Sequence, residues 1–570
     1  MALRFATALL AVLVLALALL PGGGAAWAAS AASANAPAHG AAATGKPVRT
    51  APPVQGTDDD AADQTDGSDE DDPDADANEL PAVDSKPSAY VVDAGSTESL
   101  MAWKPPQLPD VSRYTEPAAM QKLRRTPAGH VRVDSMLDQL SFKNFTGRDG
   151  RLREWASRQL SMPQAIFIEG GYVTPRQLAR ALPKQYFAET EPGVYVARLP
   201  IDILPGATLH IGKDVKDFRL SLDRGAFIVN EGDLFVSYSR LEGWNEAKNE
   251  PSWFEDEKDF RPFIISWGGS RTYVIHAVVA HLGYAASKAY GLSISQFSPT
   301  LDPILKRKQP TGWLLNSEFF DNWYGFYCYE AQGVVIRGNT YHDNIKYGID
   351  PHDRSHGLII AQNTVYGTRI KHGIIVSREV NDSWIVDNKS YENGLSGIVI
   401  DRSSVRNVVA LNQSYRNHSD GITIYESPNT TIWRNLVTAN RRHGIRVRNS
   451  IEVNLRDNVA VGNGLSGIYG HIEDLSDTGR NLKLDPFHPS ISLTVVGGKL
   501  VSNGSGPVTI DQPLSLELYN VDLREPRRAL GIDFTGVLGA HQEQVLDILV
   551  RQKLPVVVKP APLGISTADK

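Results

Sequence analysis

From about residue 310 onward the apolar and polar positions of the chain repeat with a single period. A glycine followed by an apolar residue recurs at Gly325, Gly348, Gly373, Gly397, Gly421, Gly444 and Gly467, at spacings of 23, 25, 24, 24, 23 and 23 residues. An asparagine stands nine or ten residues ahead of each one, at Asn316, Asn339, Asn363, Asn388, Asn412, Asn435 and Asn458. Within a unit, the residues one and three places after the glycine are apolar: Ile374 and Val376, Ile398 and Ile400, Ile422 and Ile424, Ile445 and Val447. That alternation is the two-residue period of a strand with one buried face. The Asn, Gly and Ser turns between these stretches leave no room for a helix of about ten residues. The pattern predicts an all-β chain wound as a right-handed parallel β-helix of 23–25 residue coils, each of three short strands. Like positions would stack about 4.8 Å apart, and the asparagines would form a ladder of amides at one turn. Leucine-rich repeats share the period, but these units lack the Leu-x-x-Leu-x-Leu pattern.

A solenoid needs covers at its ends, because terminal coils expose open strand edges. Thr174-Pro175 followed by Gln177–Leu182 predicts a capped amphipathic helix suited to the N-terminal end. Ala540–Lys553 predicts a second helix with Val545, Leu546, Leu549 and Val550 on one face, near the last coils. The expected organisation is a β-helix over 201–515, preceded by a region at 87–200 that contains the first helix and followed by 516–570 with the second. Arg4 followed by an apolar run to Leu20, a Pro-Gly-Gly-Gly break and Ala26-Trp27-Ala28 read as an export signal over 1–29. No later stretch approaches the roughly 18 apolar residues of a membrane span.

Composition changes this picture in three places. Residues 30–86 are Ala, Pro, Asp, Gly and Ser with few large apolar side chains, and are read as a disordered linker. Twelve acidic and no basic residues lie between Thr57 and Glu79, so setting them aside turns the chain's net charge of -7 into a mildly basic +5 for the remainder. A basic body suits an acidic polymer, and nothing suggests nucleic acid. Cys328 is the one cysteine in the chain, so no intramolecular disulfide can form, and its place three residues after Gly325 makes it a buried packing residue. Export without disulfides fits a bacterial periplasm.

One unit departs from the pattern. In Tyr347-Gly348-Ile349-Asp350-Pro351-His352-Asp353 the outward positions carry Asp350 and His352, and the inward third position is proline, which removes a ladder donor. The next unit places Arg378 over Asp353 at about one coil spacing, with Arg402 beyond it. Tyr329, Tyr425, Arg446 and Arg448 complete a basic and aromatic outward face, with Arg441, Arg442 and His443 in the adjoining turn. The set suits removal of a proton α to a carboxylate in an acidic sugar. An arginine clamps the carboxylate and holds the developing enediolate, neutral His352 takes the proton, and Asp350 orients it. Inversion requires a donor on the opposite face, either Tyr347 or water.

The heptapeptide at 347–353, set in Asn- and Gly-registered coils, resembles the mannuronan C5-epimerases. The single repeat body and export signal are similar to the periplasmic members of bacterial alginate producers. The Gly-Gly-x-Gly-x-Asp repeats associated with the secreted modular type are not found. The resemblance covers the chain from about Pro87. It implies conversion of β-D-mannuronate to α-L-guluronate in the polymer, with His352 as base, Arg378 as carboxylate neutraliser and Asp350 in support. Asp353, Arg402, Tyr329, Tyr425, Arg446 and Arg448 are the expected substrate contacts. It further implies no metal or other cofactor, a periplasmic location, and a place in an assembly that modifies and exports alginate. Two other readings remain: a polyuronate lyase, which starts from the same proton abstraction, and a non-catalytic alginate-binding scaffold.

Overall fold

The computed structural model describes residues 90–562, apart from 138, 146–156, 160–161, 299–300, 484 and 524–533. The expected export signal (1–29) and linker (30–86) lie outside the described residues. Among those described, three long sheets of 15, 14 and 14 strands run the length of the body. Each coil donates one strand to each sheet. Val335–Arg337, Thr340–His342 and Tyr347–His352 form one such coil, and each pairs in parallel with its counterparts one coil away. The expected parallel β-helix is therefore present, and its strands extend from Gln164–Glu169 to Ser515–Tyr519.

The core is the stack of inward side chains that the alternation marks: Ile349, Ile374, Val376, Ile398, Ile400, Ile422, Ile424, Ile445 and Val447 are all fully buried in one cluster. Cys328 belongs to it, and burial pushes its thiol up to about 12, so it packs as a hydrophobe. The register glycines are set by space. A Cβ on Gly348 would lie 2.4 Å from the carbonyl oxygen of Gly373 and 2.5 Å from Val365, because neighbouring coils close on each other at the start of this strand.

The asparagine ladder runs from Asn339 through Asn363, Asn388, Asn412 and Asn435 to Asn458, each backbone N–H donating to the next side-chain oxygen. Asn316 is not part of it. That side chain is exposed, and Ser317 takes the ladder position by donating its N–H to Asn339. A second ladder, Asn393–Asn417–Asn440–Asn463–Asn503, borders the other end of the same sheet. Asn412 accepts from Asn388 at 2.9 and 3.0 Å and donates to the Ile385 carbonyl at 2.8 Å. Asn412→Ala would orphan these buried groups, so a loss of about 3 kcal/mol is expected in urea unfolding.

The first helix forms at Pro175–Ala181, with Thr174 and Gln177 making a reciprocal capping box and Leu178 buried in the core at the N-terminal end. At the C-terminal end Gln542–Leu546 is α-helical and Asp547–Gln552 continues as a π-helix. The wider turn rotates the face: Val545, Ile548 and Leu549 are buried while Val550 is exposed, correcting the expectation for Val550. No helix among the described residues is long and apolar enough to cross a membrane.

The N-terminal segment travels against the direction of coiling. Tyr90–Ala94 pairs antiparallel with Val556–Pro560, which in turn pairs with Ser515–Tyr519 of the last coil. From there the chain runs back along the outer face of the first sheet. Trp103 packs on Trp433, Trp384 donates to the Gln107 carbonyl, Tyr114 packs on Trp313, and Glu116 accepts from Tyr238. It then joins the first coil as His130–Ser135, antiparallel to Gln164–Glu169.

Candidate active site

The second sheet, which carries Tyr347–His352, has an outer face divided into two halves. Over the early coils it is covered by an aromatic cluster that includes Phe142, Phe227, Phe263, Trp267, Tyr290, Tyr324, Tyr327 and Tyr347. Over the later coils it carries arginines and carboxylates. The unusual coil lies at the boundary, and there the ladder is interrupted: Ile349 pairs with Ile374 and His352 with Ser377, with no pairing between them across Asp350-Pro351. Proline has no N–H to give, so the strand is released from its neighbour where two ionisable side chains stand.

His352 and Asp353 are both buried, at 4% relative exposure each, and the His352 Nδ1 is hydrogen-bonded to an Asp353 carboxylate oxygen. The bond to Nδ1 is made by Asp353, where the sequence had pointed to Asp350 as the orienting residue. Strict alternation sends Asp353 inward, but the chain turns there with φ of 29° at Asp353 and 54° at Arg354, and the carboxylate comes back to the imidazole. The same left-handed bend recurs at Arg378, Arg402 and Glu426, so it is how this solenoid turns its corner. Asp350 is buried in register with Tyr327, two places before His352 on the strand. Burial drives the Asp353 carboxyl upward, but His352, Arg378 and Arg354 outweigh it and hold the group below its ordinary value of 3.8.

Arg378 is buried one coil away, following Ser377, the partner of His352. Its Nε and Nη2 donate to the two oxygens of Asp485 at 3.1 and 3.0 Å. Sequence reasoning missed Asp485, which arrives from an insertion more than a hundred residues later. It also missed Tyr327, whose ring centre lies 6.0 Å from that of His352. Tyr327 was detectable in principle, since it stands two places after Gly325 as Asp350 does after Gly348. Tyr329 is in register with His352, accepts Lys288 over its ring at 4.6 Å, and takes a hydrogen bond from Arg354. Tyr347 packs its ring on Tyr324 and His372.

The remaining predicted residues lie farther along the face. The column through His352 continues as Ser377, Asp401, Tyr425, Arg448 and His471. Tyr425 is thus about 14 Å and Arg448 about 19 Å from His352 along the axis. Much of the positive charge is balanced internally. Arg448 pairs with Glu426 and Glu473, Arg402 with Asp401, and Arg446 lies 3.8 Å from Asp420 and donates to His471. The groove is consequently less basic than the sequence suggests.

The right handed beta helix region family matches residues 304–390 and 324–474. A mannuronan C5-epimerase of Pseudomonas putida is 54% identical over 471 residues, covering 83% of this chain and 91% of the relative. That of Pseudomonas aeruginosa is 57% identical over 471 residues, covering 83% and 87%. A crystal structure of the periplasmic alginate epimerase AlgG superposes with a TM-score of 0.73 at 53% identity, covering 74% of this chain and 99% of that one.

Proposed function

The chain belongs to the mannuronan C5-epimerases and epimerises mannuronate within alginate in the periplasm, and from that premise we propose that His352, Asp353 and Arg378 carry the reaction. The observation that supports this assignment is the bond from His352 Nδ1 to the Asp353 carboxylate, one coil from the guanidinium of Arg378. An Nδ1–H held by a carboxylate fixes the tautomer with its lone pair on Nε2, the form a general base requires. The C5 proton is weakly acidic because the adjacent carboxylate is already anionic. Arg378 offsets that charge and holds the enediolate that develops as the proton leaves. The C5–H electron pair moves into the carboxylate, and the proton goes to His352. A second proton then arrives at C5 from the opposite face, from water or from a tyrosine bordering the site, Tyr327, Tyr329 or Tyr347. The C4 oxygen stays bonded, which separates this reaction from elimination.

Tyr425 and Arg446, several coils away, are proposed to meet neighbouring sugars of the same chain. We also infer that the protein works within an assembly that modifies and exports the polymer, a reading supported by its action on alginate in the periplasm, between synthesis and release.

The test is turnover of polymannuronate in heavy water. Deuterium at C5 of each new guluronate, without chain shortening or an unsaturated product absorbing in the ultraviolet, is expected. Guluronate that retains protium at C5 would rule out exchange through a solvent-linked base.

A further inference from the structure

The coil that follows Ile468–His471 is longer than its neighbours. Successive asparagines of the second ladder are 23 residues apart from Asn417 to Asn463, but Asn463 and Asn503 are separated by 40. The extra residues lie between His471 and Ile491, cross the outer face of the second sheet, and are tied down at several points. Leu475 is 3% exposed, Arg480 donates to Glu426 at 2.9 Å, and Asp485 engages Arg378.

We propose that Asp485 is a positioning residue for the epimerisation, holding Arg378 in the orientation in which it receives the substrate carboxylate. This rests on the assignment of Arg378 as neutraliser. A long arginine side chain in a groove has many rotamers, and ordering one at each turnover would cost binding energy. Asp485 grips the guanidinium by its Nε/Nη2 side. The guanidinium is a rigid planar fork, so fixing one side fixes the direction of the whole. The Asp485 side chain is itself only 2% exposed and lies 3.9 Å from Arg402 Nη1, so it is seated between arginines of consecutive coils. The insertion acts as a fixed wall, because lifting it would break the buried pairs of Asp485 with Arg378 and of Arg480 with Glu426. A competing possibility is that Asp485 occupies the place of a uronate carboxylate and must be expelled by substrate. The two differ in the sign of what its removal does.

Guluronate formation on polymannuronate by the full chain distinguishes them. Asp485→Asn is expected to lower kcat by about 10²-fold while KM changes by less than about threefold, the signature of a misplaced group that acts in the transition state. Asp485→Glu should recover most of the loss. Arg480→Gln releases the insertion's ion pair with Glu426 without touching Arg378, and should keep kcat within about threefold of the wild type. On an Arg378→Gln background, adding Asp485→Asn should cause no further loss. A wild-type or raised kcat for Asp485→Asn would overturn the proposal in favour of the plug, and a loss in Arg480→Gln equal to that of Asp485→Asn would reduce Asp485 to a loop anchor. If Arg378→Gln alone keeps the wild-type kcat, the assignment of the neutraliser fails along with the positioning role.

Discussion

His352→Gln is expected to lower guluronate formation by about 10²- to 10⁴-fold while leaving polymer binding nearly intact. The amide fills the space of the imidazole but cannot accept a proton from carbon, whereas the arginines and tyrosines along the groove are untouched. Incorporation of solvent deuterium at C5 should fall in proportion, because abstraction precedes both exchange and inversion. A variant that lost epimerisation but still exchanged C5 would show that His352 acts in reprotonation, and one with wild-type turnover would move the base elsewhere.

Asp353→Asn is expected to be nearly as damaging, about 10²- to 10⁴-fold in kcat, by the same logic that makes the carboxylate of a histidine-aspartate pair indispensable. The asparagine amide can donate to Nδ1, which moves the imidazole proton to Nε2 and removes the basic lone pair. The substitution also has a pH signature. The folded-state value of Asp353 lies below the ordinary 3.8, with burial opposing and His352, Arg378 and Arg354 prevailing. Its contribution to stability is therefore present above about pH 4 and is lost as pH falls through the lower folded value. Urea midpoints between pH 2 and 7 should show a shallower acid decline for Asp353→Asn than for the wild type. An unchanged slope would mean that the pairing with His352 stabilises nothing.

The parts of this structure that could be read from sequence are the ones that repeat. Seven registered glycines and the inward Ile and Val columns define the coil, and coil stacking alone brings His352 beside the residue before Arg378. What escaped were departures from strict periodicity. A one-residue shift replaces Asn316 by Ser317 in the ladder, and a left-handed bend returns Asp353 to His352 where alternation points it away. Thr368 interrupts the second ladder, donating its N–H to Asn393 where an asparagine would be expected, so that column is hard to see by inspection. Asp485 was hidden for a different reason: an insertion has no register, and only the folded solenoid determines where it lands. The same holds for Glu473, which pairs with Arg448 from that insertion, whereas Asp401, Asp420 and Glu426 stand at regular coil positions.

The backward path of residues 90–135 bears on how the molecule is made. A solenoid in which each repeat touches only its neighbours can fray coil by coil from either end. Here a stretch synthesised early has to wait for one synthesised much later, since Tyr90–Ala94 pairs with Val556–Pro560. Peeling the coil of Ser515–Tyr519 must also detach Tyr90–Ala94, so that end of the solenoid is latched by a segment from the opposite end of the described chain.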